Sequence, residues 1–250
     1  MQTLTRKLAA CAAALIAGVL PGAEPANPLV AAETTKANEF FERTFNESAA
    51  RSPMLMTQLG MKQDYDKWDD ISDGRALEDF LFGVQQLAEL KRVIRFDLLD
   101  EQARVSYRMF VKDAERAIEG WRWRYHNYPL NQMSGTHAEV PAFLINYHRV
   151  DSVDDARAYV KRLHGIAPMF DQLIENVKLR ADRGIVPPRF VFGLVIDSVR
   201  EVIRGEPFDR SGGKNVLLQD IEGKIAALKD ADPVTKQRLQ AEARAALTGS

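Results

Sequence analysis

Apolar residues recur at helical spacing along most of this chain, and that period constrains the fold more than any other feature. A typical apolar stripe comprises Leu77, Phe80, Leu81, Val84, Leu87 and Ala88. Residues three and four positions apart share one face of an α-helix, so such stripes predict amphipathic helices. No alternating run of apolar and polar residues indicates strands. We therefore expect an all-α fold, a multi-helix array of amphipathic helices.

Start and stop signals divide these stripes into separate helices. Side chains suited to N-capping occur at Ser52, Ser72, Ser152 and Asp232. Residues 136–139 have the sequence of a capping box, but Pro141 would interrupt a helix that starts there, so a start near Pro141 stays open. Residues 205–214 are the most linker-like stretch of the chain, and they are predicted to form a loop between helices.

The first 32 residues have the order of a secretory signal peptide. Arg6 and Lys7 precede an uncharged, largely apolar run over residues 8–20, and small residues follow at Ala23 and Ala32. This run is too short to span a bilayer, which needs about twenty apolar residues. We expect cleavage between residues 23 and 32, export to the periplasm or the medium, and a mature helical domain over residues 33–250 without membrane association.

The residue types that most catalytic chemistry requires are scarce. The only cysteine, Cys11, lies in the predicted signal peptide, and the four histidines form no His-Glu-x-x-His pair for zinc. The acidic loop over residues 64–70 lacks the glycine and glutamate of a helix-loop-helix calcium site. A formal net charge of −1 argues against a broad nucleic-acid surface. We therefore expect no catalytic residue, metal ligand or nucleic-acid partner here.

Residues 121–129 interleave aromatic and basic side chains in an unusual way, reading WRWRYHNYP. One interpretation is a groove for carbohydrate or peptide, lined by aromatic rings. The other is a helix end whose rings pack beneath a long loop. The second interpretation needs no ligand and is the one we favour.

Several segments, in order along the chain, are similar to a large bacterial family. They are Ser52-Pro53 through Leu59-Gly60, Pro129 through Gly135, Pro141 through Leu144, Ala156 through Leu163, Asp171 through Glu175, Arg183-Gly184 and Pro187-Pro188. Each segment is short, but their order and spacing over residues 36–247 resemble domain of unknown function 885.

That resemblance implies an exported helical protein considerably longer than this chain, with a zinc-binding His-Glu-x-x-His helix in its C-terminal half. No position of this chain matches that motif, so zinc is expected only in the missing C-terminal half. The chain would then be the non-catalytic N-terminal half of a zinc-metallopeptidase-like protein. Its expected partners are the missing half and a peptide or similar small substrate, for which it would form one wall of a channel.

Two apolar stripes near the C-terminus bear on this hypothesis. The residues expected to face inward after Pro187-Pro188 are Val191, Leu194, Val195, Val199, Val202 and Ile203. The last helix carries Leu239, Ala243, Ala246 and Leu247 on one side. If the chain is half of a longer protein, we expect the face of the last helix to pack on the missing half.

Other functional classes stay open, and whether the chain is an enzyme is undecided. It could be a self-sufficient periplasmic helical module that binds a partner or ligand without catalysis. A weaker hypothesis is an independent hydrolase that uses His137 and Glu139. If the chain forms a channel wall, the residues expected to face the substrate are Asn131, Gln132, His137, Glu139, Tyr147 and His148.

Overall fold

The helical prediction is confirmed by a computed structural model that describes residues 27–249. The helices are α1 (Pro28–Ala50), α2 (Pro53–Gln58), α3 (Asp73–Val93), α4 (Glu101–Gly120), α5 (Thr136–Asn146), α6 (Val153–His164), α7 (Ile166–Ala181), α8 (Arg189–Val202), α9 (Val216–Ala227) and α10 (Pro233–Thr248). Short 3-10 helices occupy Phe96–Leu98 and Trp121–Trp123. Within residues 27–249 there is no β-strand, and no helix there combines the length and apolar character needed to cross a bilayer.

The four predicted N-caps are confirmed, because each capping side chain accepts a hydrogen bond from an amide in the first turn of its helix. The capping side chains of Ser52, Ser72, Ser152 and Asp232 accept from the amides of Leu55, Arg75, Asp155 and Thr235, respectively. Each bond satisfies one of the first-turn amides that have no partner inside the helix, which typically stabilises the protein by about 1 kcal/mol. Most of the predicted signal peptide, residues 1–26, lies outside the described residues.

Helix α5 begins differently from the capping-box prediction. Its N-cap is Gly135, which makes no side-chain bond, and Thr136 is already the first helical residue. Pro141 lies inside the helix rather than at its start. A proline there cannot donate to the carbonyl of His137. Burial of Val140, Phe143 and other residues on the same helix compensates for the missing bond.

Helix α9 follows the predicted loop, and the sequence patterns did not predict where this helix starts. Asn215 caps it, since the Asn215 Oδ1 accepts from the amide of Leu217 at 3.0 Å. The Asn215 Nδ2 donates to the carbonyls of Val202 and Arg204 at 2.7 and 2.9 Å. This one buried side chain therefore ties the end of α8 to the start of α9.

The helices enclose two apolar cores. The larger core joins α6, α9 and α10, and its buried members include Tyr159, Leu163, Leu218, Ile221, Ile225 and Leu239. The smaller core joins α1 to the end of α3, the segment after it and the start of α4, through Ala37, Phe40, Leu90, Ile94, Leu99 and Ala103. The candidate functional site borders the larger core.

The expectation for the last helix is wrong. Leu239, Ala243, Ala246 and Leu247 are all buried, because α10 packs that face against α6 and α9 of the same chain. The face therefore belongs to the larger core and is not left for another half of the protein.

Helix α1 begins before one of the two predicted cleavage positions. The Asn27 Oδ1 accepts from the amide of Leu29 at 3.0 Å, and Pro28 occupies the first helical position. Cleavage after Ala32 would remove this capped turn and place the new amino terminus on Glu33. That carboxylate is buried and accepts from the amide of Arg95 at 2.7 Å. Cleavage after Ala23 leaves the whole helix intact.

We predict that the mature protein begins at Glu24. Intact mass and N-terminal sequencing of the exported protein measure this directly. Ala23→Arg should block processing, whereas Ala32→Arg, the matched control, should leave the mature mass shifted only by the substitution. A mature chain starting at Glu33 would contradict the prediction, and an unprocessed Met1 would refute export itself.

Candidate functional site

An apolar cavity that the described residues form beside the larger core is the candidate site, called here the His137 cavity. It has a volume of about 300 Å³. Its walls come from α5, α7 and α8, from the segment after α8, and from one residue each of α9 and α10. The lining residues are His137, Val140, Pro141, Ile166, Ala167, Phe170, Val199, Val202, Ile203, Phe208, Leu217 and Leu247. Among the residues that the structure describes, no charged side chain lines the cavity, and His137 is its one polar side chain.

His137 is buried, and its Nδ1 atom has no hydrogen-bond partner within residues 27–249. Burial disfavours the imidazolium and lowers the pKa of His137, while the negative charge of Glu139 acts weakly in the opposite direction. The imidazole is therefore neutral at pH 7, with one donor and one acceptor nitrogen. Buried polar atoms normally have partners, and the unpaired Nδ1 makes His137 an exception to that rule.

The turn before α5 holds His137 in place. Gly135 has a φ of 144°, and a Cβ atom there would lie 2.8 Å from the Pro129 carbonyl oxygen and 3.1 Å from the His137 Nδ1. Only glycine adopts this conformation without strain. Asn131 organises the same turn, because its Oδ1 accepts from the amides of Met133 and Ser134 at 2.9 Å each.

The other residues expected to face substrate occupy different environments. Gln132 and Glu139 are exposed on the turn and the first turns of α5. Tyr147 is exposed at the end of α5, with its ring centroid 5.8 Å from that of Phe143. Of the six predicted residues, His137 alone lines the His137 cavity.

His148 is buried in a separate network where both ring nitrogens have partners. Its Nε2 donates to the carbonyl oxygen of Asp155 at 3.1 Å, and its Nδ1 accepts from the Arg162 guanidinium at 2.9 Å. Burial, aided by the charge of Arg162, lowers the pKa of His148 to about 3. His148 therefore holds the fold together as a neutral side chain.

The aromatic and basic segment is only partly packed against the protein, since Trp123 and Tyr128 are about half exposed. The rings of Phe80 and Trp121 stack with centroids 4.3 Å apart. Tyr125 is buried and donates its hydroxyl to Asp73 at 2.9 Å, while the Arg183 guanidinium lies 4.1 Å from its ring centroid. These contacts support the interpretation of a helix end packed beneath a loop.

The inward stripe predicted for α8 is only partly correct. Val191 is buried, and Val199 and Val202 line the His137 cavity. Leu194 and Ile203, however, are about half exposed. A second apolar cavity of about 210 Å³ lies on another side of α8, against α7 and residues 128–130, and Val195 is among its lining residues.

No metal centre is present in the described part of the chain, since no three His, Cys, Asp or Glu side chains there are arranged to hold an ion. Sequence patterns identified His137 but missed the cavity beside it, because its walls come from helices far apart in the chain. The apolar stripe of α8 was the signal available, and its periodicity did not show which side faces a cavity.

The fold and the site define an all-α protein with an apolar cavity, and its sequence identifies the family. Residues 53–250 match the family described as "Bacterial protein of unknown function (DUF885)", and the chain belongs to it. A search of curated proteins found no match. Among solved structures, the chain is similar to "the putative lipoprotein from Colwellia psychrerythraea", at 15% identity and a TM-score of 0.61. The match covers 86% of this chain and 38% of that one, so this chain spans well under half of that protein.

The two buried histidines should respond oppositely to the same substitution. His137→Leu removes an unpaired buried nitrogen, so the free energy of unfolding should stay unchanged or rise by about 1 kcal/mol. His148→Leu, the matched control, deprives Arg162 of its acceptor and should cost about 3 kcal/mol or more. Urea unfolding of both variants measures the difference. A large loss in His137→Leu would show that this side chain is structural.

Stability should fall in mildly acidic solution because the folded protein keeps both histidines neutral. In the unfolded chain a histidine titrates near pH 6.5, so below that pH the unfolded state binds more protons. The stability that both groups contribute is fully present above pH 6.5 and is lost as the pH falls toward their lower folded pKa values.

We predict that the free energy of unfolding falls by about 1 to 2 kcal/mol per pH unit between pH 6.5 and 5. Urea titrations at several pH values give this slope. His137→Leu removes one of the two groups and should make the slope shallower. An equally steep slope in that variant would exclude His137 as a contributor.

Proposed function

We propose that this chain is the non-catalytic N-terminal part of an exported zinc-metallopeptidase-like protein and forms one wall of a channel for peptides or similar small substrates. Family membership and the likeness to a much longer protein of the same fold support the proposal. The observation that carries it is the exposed apolar surface of α8.

Helix α8 exposes apolar side chains on several sides. Phe190, Phe192, Leu194 and Ile196 are each about half exposed or more. These residues widen the apolar face of α8 beyond the side that packs on the chain, while Asp197, Arg200 and Glu201 form an exposed polar strip. An apolar face that is wider than its packed side is typical of a helix that contacts a further part of a protein. Within residues 27–249, α8 has substantial packing only against α5. The rest of a longer family chain is the occupant that would cover it.

The exposed surface of α8 and the His137 cavity share a helix. Val199 and Val202 of α8 form part of the cavity wall, so a domain packed along α8 would border the cavity as well. That arrangement would place His137 near a boundary between two domains, where ligand sites commonly occur. The exposed residues Gln132, Glu139 and Tyr147, together with Asn131, remain candidates for substrate contact in that setting.

Zinc would be held by the remainder of the protein. The chain has no His-Glu-x-x-His sequence, so its own residues would bind and orient the substrate rather than activate water. Export rests on the predicted signal peptide, and the periplasm is the proposed compartment. On this proposal the chain has no role in nucleic-acid binding.

A self-sufficient binding module is the second candidate, and one observation favours it. Helix α10 completes the larger core, since Leu239, Ala243 and Ala246 are fully buried against the same chain. A chain that closes its own core can fold by itself. Such a module would use the His137 cavity without needing another domain.

We predict that the purified chain self-associates through α8. Phe192→Lys with Ile196→Lys places two charges one helical turn apart and should yield a monomer that binds less hydrophobic dye. The matched control is Val105→Lys with Met109→Lys on α4, which has the same spacing and comparable exposure, at 44% and 61%. Light scattering and dye fluorescence are the measurements. An equal effect of both pairs, or a monomeric wild-type chain, would contradict the docking role of α8.

The channel proposal is tested with the extended protein. Sequencing the gene past Ser250 identifies any downstream half, which can then be expressed with this chain. The extended protein should bind about one zinc per chain and hydrolyse peptides, while residues 1–250 alone should do neither. Zinc bound tightly by residues 1–250 and lost in His137→Ala would overturn the proposal.

A further inference from the structure

We propose that the His137 cavity binds an uncharged, mainly apolar molecule or side chain that carries one hydroxyl or amide group. This inference adds a ligand class to the proposed substrate-facing role and rests on that role only for the origin of the natural ligand. The cavity itself is formed by described residues of this chain, so ligand binding can be tested without any other domain.

The volume of the cavity sets the size of the ligand. A dry apolar cavity of about 150 Å³ accommodates benzene, and ligand pockets generally start near 300 Å³. The His137 cavity has about 300 Å³. It therefore has room for one substituted aromatic ring or a short branched aliphatic group, such as a single large side chain of a peptide.

The lining determines the charge of the ligand. Aliphatic side chains and the rings of Phe170 and Phe208 make up the walls apart from His137. A charged ligand would lose its hydration and find no opposite charge among these residues, so charged ligands are excluded. Water is also poorly held, because an ordered water molecule needs two to four polar partners. An apolar ligand is thus the occupant that gains most by entering.

His137 determines the polar group of the ligand. Among the described residues it is the one polar side chain that lines the cavity, and its imidazole is neutral because burial lowers its pKa. A hydroxyl or amide can donate to, or accept from, a neutral imidazole. The turn before α5 covers the Nδ1 edge of the ring, since a Cβ atom at Gly135 would lie 3.1 Å from Nδ1, so a ligand would meet the ring at its Nε2 edge.

The second apolar cavity supplies an internal comparison. It is of similar apolar character, at about 210 Å³, but its lining has no histidine and includes Arg180. A ligand that binds only because a surface is apolar would not distinguish the two cavities. A ligand that uses the imidazole would prefer the His137 cavity.

The test uses two small probes, 4-fluorophenol and fluorobenzene, which differ by one hydroxyl group. Fluorine NMR titration of the purified chain gives both dissociation constants. We expect 4-fluorophenol to bind about three- to tenfold more tightly, which is the effect of one hydrogen bond. In His137→Leu the ratio should fall to about one, with fluorobenzene binding retained. A ratio near one in the wild-type protein, or no binding of either probe, would overturn the inference.

The position of the bound probe is tested by filling each cavity in turn. Ala167→Phe projects a ring into the His137 cavity from α7 and should weaken binding of both probes more than tenfold. Val195→Phe fills the second cavity and should leave both affinities unchanged. The reverse pattern would place the ligand in the second cavity and refute the inference. If Ala167→Phe fails to fold, Val199→Leu is the smaller substitution, and affinities unchanged by it would count against the inference.

The inference about ligand binding and the proposed docking on α8 can be tested independently of each other. The pair Phe192→Lys with Ile196→Lys should abolish self-association yet keep the preference for 4-fluorophenol, because neither residue lines the His137 cavity. Loss of that preference in the monomeric variant would show that the probe binds at the α8 surface, and would overturn the inference.

Discussion

The fold depends on one buried cation, the guanidinium of Arg162. It is fully buried, and its hydrogen-bond partners among the described residues are all uncharged. It donates to the His148 Nδ1 at 2.9 Å, to the Thr57 hydroxyl at 2.7 Å and to the Lys67 carbonyl at 3.0 Å. Burial lowers its pKa to about 10, which reflects the cost of removing the charge from water. These neutral acceptors offset that cost, together with the ring of Phe143, which lies 4.9 Å away. The same contacts fix the positions of α2, the loop after it, α5 and α6 relative to one another.

This network also determines where the candidate site lies. Helix α5 ends two residues before His148, so the Arg162 network fixes its C-terminal end, while Gly135 and the turn before it fix its start. His137 stands between these two fixed points, one turn from Pro141. The interior must keep His148 neutral to accept from Arg162, and the same burial keeps His137 neutral beside its cavity. His148 therefore uses both ring nitrogens to hold the fold, whereas His137 lines the cavity and its Nδ1 has no partner within the described residues.

Local sequence signals predicted the helices well, because a cap such as Ser72 or Ser152 acts on residues three positions away. Features that depend on residues far apart in the chain could not be predicted from such local signals. Arg162 stands in an amphipathic helix where an arginine ordinarily faces water, and only its distant acceptors explain its burial. The walls of the His137 cavity likewise come from five helices. Helix α5 shows a third limit of prediction from local sequence. Pro141 disfavours a helix locally, but the tertiary packing of its neighbours outweighs that preference.

The contrast between α10 and α8 reconciles the two candidate functions. The stripe of α10 and that of α8 look alike in sequence, but α10 is covered by α6 and α9 of the same chain, whereas much of α8 is uncovered. The larger core is closed by helices of the same chain, as a self-folding unit requires. An uncovered apolar helix means that the folded unit still has a surface suited to another domain. A self-folding unit and one wall of a larger channel are therefore compatible descriptions of the same helices, and the His137 cavity, whose wall includes α8, would serve in either setting.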